Sequence, residues 1–155
     1  MTREDLLREV GAYLAKYYID LSQVHVHYSA DVVEDVGEEL QRPHKTFAQY
    51  LAEWLAKKEM LAVDVYKRAG IDRRLYSKIA SVPDYHPGKN TVILLALAME
   101  MTFEEAQEFL GEAGFVLTDT RKEDVVLAYF FEKRRYDRFE INEVLAYFHL
   151  PLLFH

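Results

Sequence analysis

Residues 61–79 constrain the fold of this chain more than any other segment. Their sequence, LAVDVYKRAGIDRRLYSKI, predicts two short helices joined by a tight turn at Ala69-Gly70-Ile71. Gly70 suits a turn position that needs a positive φ, because glycine adopts that conformation with the least strain. Asp72 is placed to cap the second helix. The pattern is that of a helix-turn-helix, a motif that many proteins use to bind DNA.

The side chains of this stretch divide into an apolar set and a basic set. The apolar set, expected to hold the two helices together, comprises Val65, Ala69, Ile71, Tyr76 and Ile79. The guanidinium fork of arginine matches O6 and N7 of guanine, whereas lysine offers phosphates charge. The predicted DNA-contacting residues are Arg73, Arg74, Ser77 and Lys78 on the second helix, with Lys67 and Lys89 outside it. The alternative is a solvated basic face on a structural bundle.

The charge of the chain is unevenly distributed. The net charge of −7 argues against general affinity for nucleic acids. Residues 57–89 nevertheless hold eight basic and four acidic side chains, whereas residues 1–44 hold four basic and nine acidic. The one basic region therefore coincides with the helix-turn-helix pattern.

Composition limits the class of protein. Half of the 155 residues are apolar, which is enough for a folded core in one domain with an arm. The absence of cysteine excludes disulfides and cysteine-ligated metal sites. No apolar run approaches the roughly 18–20 residues of a membrane span, and the N-terminal MTREDLLREV lacks the apolar core of a signal peptide. We therefore expect a cytoplasmic protein that makes no membrane contact.

Two regions are predicted, with a boundary at Arg42-Pro43-His44. Residues 1–44 form an acidic N-terminal arm, consisting of a helix, a short extended segment at 23–29 and an acidic helix near 31–41. Residues 45–155 form the helix-turn-helix domain, with two additional C-terminal helices near 121–135 and 137–148.

Signals at helix ends support this division. Thr2, Thr46 and Thr102 each suit an N-cap, and Thr2 and Thr102 are followed three residues later by the acidic residue of a capping box. A loop is predicted at residues 81–90, with the next helix starting at Asn90 or Thr91. Gly114 suits the C′ position of the helix that starts after Thr102.

Five helices in this order, with a turn after the second and a loop after the third, resemble the lambda-repressor-like helix-turn-helix domains of the XRE group. The resemblance runs from Thr46 to Gly114 and rests on the turn at Gly70, the ending Ser77-Lys78-Ile79, residues 91–98, and the ending Ala113-Gly114. It implies an all-α fold whose third helix enters the major groove. Arg73, Arg74 and Ser77 would then contact base edges, with Lys78 nearer the phosphates.

The wider stretch from Phe47 to Leu153 is similar to helical domains linked to some bacterial macro-domain proteins. The chain departs from the DNA-reading family at two positions. Ala62 stands where the second helix often begins with a glutamine that anchors a phosphate. Tyr66 stands where a small residue usually lets the two helices approach closely.

The leading functional hypothesis is a transcriptional regulator that binds double-stranded DNA as a homodimer. Regulators of this fold commonly use two copies to span half-sites about one helical turn apart. The C-terminal aromatic residues are the candidate centre of self-association, in particular Phe130, Phe131, Tyr147 and Phe148. The alternative is a non-catalytic protein-interaction adaptor that retains the fold without base reading.

Other chemistry has little support in the sequence. We find no Gly-rich phosphate loop, nucleophile elbow or metal-ligand cluster, and we therefore expect neither an enzyme nor a cofactor. His25 and His27 alternate along one predicted strand face and would supply half of a zinc site, without a third ligand close in sequence. His86 follows the third helix, where it either orders the loop or reaches a phosphate.

Overall fold

The computed structural model describes residues 1–20 and 45–155, and within them every regular secondary-structure element is a helix. The predicted all-α class is therefore confirmed for these residues. The predicted extended segment, the acidic helix near 31–41, the boundary at residues 42–44 and the His25–His27 pair lie outside the described residues. The eight described helices are α1 (Arg3–Tyr17), α2 (Phe47–Lys58), α3 (Ala62–Ala69), α4 (Arg73–Ser81), α5 (Lys89–Ala98), α6 (Phe103–Glu112), α7 (Lys122–Glu132) and α8 (Arg138–Tyr147).

The helix ends follow the local signals in the sequence. Three threonines accept a hydrogen bond from the backbone N–H of the third helical residue, whose own side chain bonds back to the cap, and these are Thr2, Thr46 and Thr102. Gly114 has a φ of 86° after α6, as its predicted C′ position requires. The helix expected to begin at Asn90 or Thr91 begins one or two residues earlier, at Lys89, with Gly88 as its N-cap.

The core is built around α5, a helix buried on all sides. Every side chain from Val92 to Ala98 is buried, and a helix that is apolar all round belongs in the interior. Helix α5 packs against both α3 and α6. Helix α4 packs on α2, and α6 also contacts α2 and α7. The α3–α4 pair is thus fixed to the core through two different neighbours.

Helix α1 packs against α7 near the C-terminus of the chain. Leu6 and Val10 belong to the same buried cluster as the core residues of α3 to α6. The Tyr13 and Tyr129 rings meet edge to face at 5.5 Å, and the Tyr129 hydroxyl donates to Glu9. Burial and this acidic neighbour raise the pKa of Tyr129 to about 12. The N-terminal helix therefore covers part of the C-terminal region.

This packing corrects one expectation about the C-terminal aromatics. Phe130 and Phe131 are fully buried, so placing them in an exposed self-association patch is wrong. The reason is that α7 is surrounded by α1, α6 and α8. Tyr147 is 55% exposed and Phe148 is half-buried, so these two remain near the surface.

Candidate nucleic-acid interface

The turn between α3 and α4 has the predicted geometry. Gly70 ends α3 with a φ of 69°, and Ile71 N donates to Tyr66 O at 3.0 Å. The Asp72 carboxylate then accepts from Arg74 N at 2.6 Å and caps α4. These bonds satisfy backbone groups that the helix ends leave without partners. The two predicted short helices and the turn between them are therefore confirmed.

The inner face of the α3–α4 pair is the predicted apolar set. All five members are buried, with exposed fractions of 8% or less: Val65, Ala69, Ile71, Tyr76 and Ile79. Because these side chains face the core, α4 has a defined orientation about its own axis.

Tyr66, one of the two departures from the family pattern, is accommodated between the two helices. Its ring packs on that of Tyr76, with centroids 5.3 Å apart and planes at 41°. The Tyr76 hydroxyl is buried, and within the described part of the chain it has no hydrogen-bond partner. Burial accordingly raises the pKa of Tyr76. An aromatic contact therefore lies where a small residue was expected.

The outer face of α4 carries the predicted contact residues. Arg73, Arg74, Ser77 and Lys78 are all exposed. At about 100° per residue they fall within roughly 140° of the helix circumference. Tyr76 and Ile79 lie on the opposite, buried side. The structure therefore brings these four residues together on one solvent-facing surface.

Several side chains of this surface are available to a ligand. In the described residues, the guanidinium groups of Arg73 and Arg74 have no hydrogen-bond or ion-pair partner. Lys78 Nζ lies 5.4 Å from the centre of the Tyr85 ring, close enough for a cation–π contact. The segment spanning α3 and α4 holds five basic and two acidic side chains, and one of the acids, Asp72, is used as a cap.

Lys67 is placed differently from the four α4 residues. It is exposed in the last turn of α3, beside the exposed Arg68. Basic residues at a helix C-terminus interact favourably with the partial negative charge there. Lys67 is therefore an exposed basic residue on the first helix of the pair.

Lys89 has a structural partner that the sequence did not indicate. Its Nζ donates to Asp124 Oδ2 at 2.7 Å, and the Asp124 side chain is only 2% exposed. Asp124 also accepts from Thr118 N at 3.0 Å. Among the described residues, Asp124 is the only buried charged side chain. The lysine predicted to contact phosphate therefore joins α5 to α7.

One residue at this site was missed by sequence reasoning. The Arg138 side chain of α8 reaches the α3–α4 turn, where its Nε donates to Arg68 O at 3.2 Å. The two residues are 70 positions apart in the chain. A contact at that separation leaves no periodic or spacing signal, so no inspection of residues 61–79 would have found it.

Other candidate groups are not assembled into a second site. Residues 1–20 and 45–155 contain no group of three or more histidine, aspartate or glutamate side chains suited to a metal ion. His86 is exposed in the loop after α4. No helix in the described ranges is long and apolar enough to cross a membrane.

Comparisons with protein-family models, curated proteins and solved structures gave no significant match to this chain.

Proposed function

We propose that this protein is a transcriptional regulator of the lambda-repressor-like helix-turn-helix type, which binds double-stranded DNA through α4. In this proposal α4 enters the major groove. Arg73, Arg74 and Ser77 contact base edges, while Lys78 and Lys67 contact phosphates.

One observation carries the proposal. Four polar or basic side chains form one exposed face of α4, while the opposite face is buried against the core. The capped turn at Gly70 holds α4 beside α3. A helix that reads DNA needs both features, since the buried face fixes the presentation of the exposed one. The acidic excess of the whole chain lies largely outside this segment.

The first experiment measures binding to genomic duplex fragments as a function of salt. Each phosphate neutralised by the protein releases condensed counterions, so the affinity should fall steeply between about 50 and 200 mM salt. We expect binding at the lower concentration that weakens along a linear log–log plot. Absence of binding at about 50 mM salt would overturn the proposal and favour the adaptor described below.

A pair of variants tests the base-reading assignment. Arg74→Ala should cost roughly 1–3 kcal/mol on a selected site and relax discrimination at one base pair. Arg3→Ala removes the same charge from an exposed position of α1, which packs on α7, and serves as the control. The assignment is wrong if Arg74→Ala weakens selected and random DNA equally, or if the two variants behave alike.

The proposal includes self-association through α8. With Phe130 and Phe131 buried, the exposed aromatics of this helix are Phe139 and Tyr147, at 60% and 55% exposure. Large exposed apolar side chains are characteristic of association surfaces. Tyr147→Glu should therefore reduce the solution mass to that of a monomer and lower DNA affinity. A wild-type chain that is monomeric at high micromolar concentration removes the dimer from the proposal.

A protein-interaction adaptor is the second candidate, and the same exposed aromatics favour it. In that case α8 contacts another protein, and the basic face of α4 is only solvated. Tyr147→Glu would then abolish partner binding without any change in DNA affinity. Tyr147→Glu thus distinguishes the two candidates, because it lowers DNA affinity in the first and partner binding in the second.

A further inference from the structure

The carbonyl of Arg68, in the last turn of α3, is bonded by a partner from outside the helix. Tyr66 O accepts from Ile71 N, and Lys67 O accepts from Gly70 N. Arg68 O accepts from the Arg138 side chain instead, at 3.2 Å from Nε. A guanidinium at this position also offsets the partial negative charge of the helix C-terminus. Arg138 therefore contributes to the C-terminal cap of the first helix of the motif.

The start of α8 aims Arg138 at the turn. Asp137 is the N-cap of α8 and accepts from Phe139 N at 2.9 Å and Glu140 N at 3.3 Å. Arg138 is consequently the first helical residue. Because side chains lean toward the N-terminus of their helix, the Arg138 guanidinium projects beyond the N-terminal end of α8.

Two aromatic rings hold the guanidinium in place. Its central carbon lies 4.3 Å from the centroid of Phe139 and 4.7 Å from that of Phe154. The rings are edge to face, 5.4 Å apart. The Asn142 side chain bonds the backbone at Leu153 and Phe154. It donates to Phe154 O and accepts from Leu153 N, both at 2.8 Å. The C-terminal residues thus fix the Arg138 side chain.

Gly70 lies directly against this guanidinium. A Cβ on Gly70 would lie 2.7 Å from Arg138 Cζ and Nη2, well inside van der Waals contact. The φ of 69° favours glycine at this position, and any larger residue would also force the Arg138 guanidinium to move. The arginine contacts the residue where the chain passes from α3 to α4.

We infer that Arg138 is a positioning residue that fixes the α3–α4 turn and hence the angle at which α4 is presented to DNA. The inference rests on the proposed function for its DNA consequence, whereas the effect on the turn is independent of DNA. It assigns a role to the C-terminal region that residues 46–114 alone do not contain. Phe154 contributes by holding Arg138, so a change there should affect α4 indirectly.

The test compares Arg138→Lys and Arg138→Met with Arg134→Met. Lysine keeps the charge but lacks the Nε–H and the planar group that stacks on the rings. Arg134 is exposed, and its replacement removes the same charge close by in sequence. Amide hydrogen exchange at Gly70 and Ile71 reports the turn, thermal denaturation reports global stability, and titration with duplex DNA reports affinity.

We expect both Arg138 variants to speed exchange at Gly70 and Ile71 and to weaken DNA binding by roughly 2- to 30-fold. Arg134→Met should leave the exchange unchanged and alter affinity less. Phe154→Ala should reproduce the faster exchange in part, and it provides a second route if an Arg138 variant folds poorly.

Three results would overturn the inference. The first is unchanged exchange at the turn in folded Arg138→Met. The second is full DNA affinity in Arg138→Lys, because charge alone would then account for the effect. The third is exchange that speeds up equally throughout the core, because the role would then be general stability. A wild-type chain that fails to bind DNA refutes the proposed function, while the exchange measurement still decides whether Arg138 fixes the turn.

Discussion

The ion pair between Lys89 and Asp124 predicts a large loss of stability on Lys89→Met. Asp124 is 2% exposed and would keep only its bonds from Thr118. Removing one partner of a fully buried pair costs about 3–5 kcal/mol, because the other charge is left desolvated. One fifth of the Lys89 side chain is exposed, and water can therefore reach the site. We expect a loss of about 2–4 kcal/mol.

Thermal and denaturant unfolding measure this loss directly. For a chain of this size the expected change lowers the Tm by roughly 5–15 °C. Lys67→Met is the matched control, since Lys67 is exposed, and it should change stability by less than about 0.5 kcal/mol. Adding Asp124→Asn to Lys89→Met should restore part of the loss, because the uncompensated charge is gone.

The same variants separate the two roles of Lys89. If it acts mainly within the fold, Lys89→Met should lower DNA affinity less than Lys67→Met when both are measured well below their Tm. The reasoning fails if Lys89→Met is as stable as the control. It also fails if Asp124→Asn makes the Lys89→Met protein less stable.

Three further substitutions test other parts of the structure. Gly70→Ala should cost about 1–2 kcal/mol from its positive φ, plus the clash with Arg138, and a smaller cost in an Arg138→Ala background would verify the contact by denaturant unfolding. Burial raises the pKa of Glu112 above its ordinary 4.5, so the folded state binds the carboxyl proton more tightly than the unfolded state does. The free energy of unfolding therefore falls as the pH rises from the unfolded-state pKa to the folded-state pKa. Glu112→Gln keeps an acceptor for the Trp54 indole, and it should raise the Tm near neutral pH but not below pH 4.5; a gain at both pH values contradicts this. Tyr76→Phe removes a buried hydroxyl that is unpaired within the described residues, so the Tm should not fall. A fall in Tm would show that the hydroxyl has a hydrogen-bond partner.

The parts of the fold that were predictable from sequence depend on neighbours within about one helical turn. Thr102 and Glu105 form a capping box three residues apart. The Gly70 turn and the Asp72 cap likewise involve residues two to five positions apart. The exposed face of α4 could be predicted because it is the complement of a buried stripe with helical period. Each of these signals depends only on residue types a few positions apart in the sequence.

The contacts that escaped prediction join residues far apart in the chain. Lys89 and Asp124 are separated by 35 positions and Arg68 and Arg138 by 70. An exposed and an ion-paired lysine look alike in a sequence, because the difference lies in the partner. The burial of Phe130 similarly depends on α1, α6 and α8 packing around α7, which helical periodicity cannot indicate.

This division bears on how the departures at Ala62 and Tyr66 should be weighed. The local pattern determines whether a helix, a turn and a helix form, but the angle between them depends on what packs around the turn. Here the Tyr66 ring packs on that of Tyr76, and the Arg138 guanidinium lies against Gly70. A bulky residue at position 66 therefore does not act alone on the presentation of α4, because a residue from outside the motif also holds the turn. Reading the DNA-binding capacity of such a motif from its own residues omits the contacts that set its geometry.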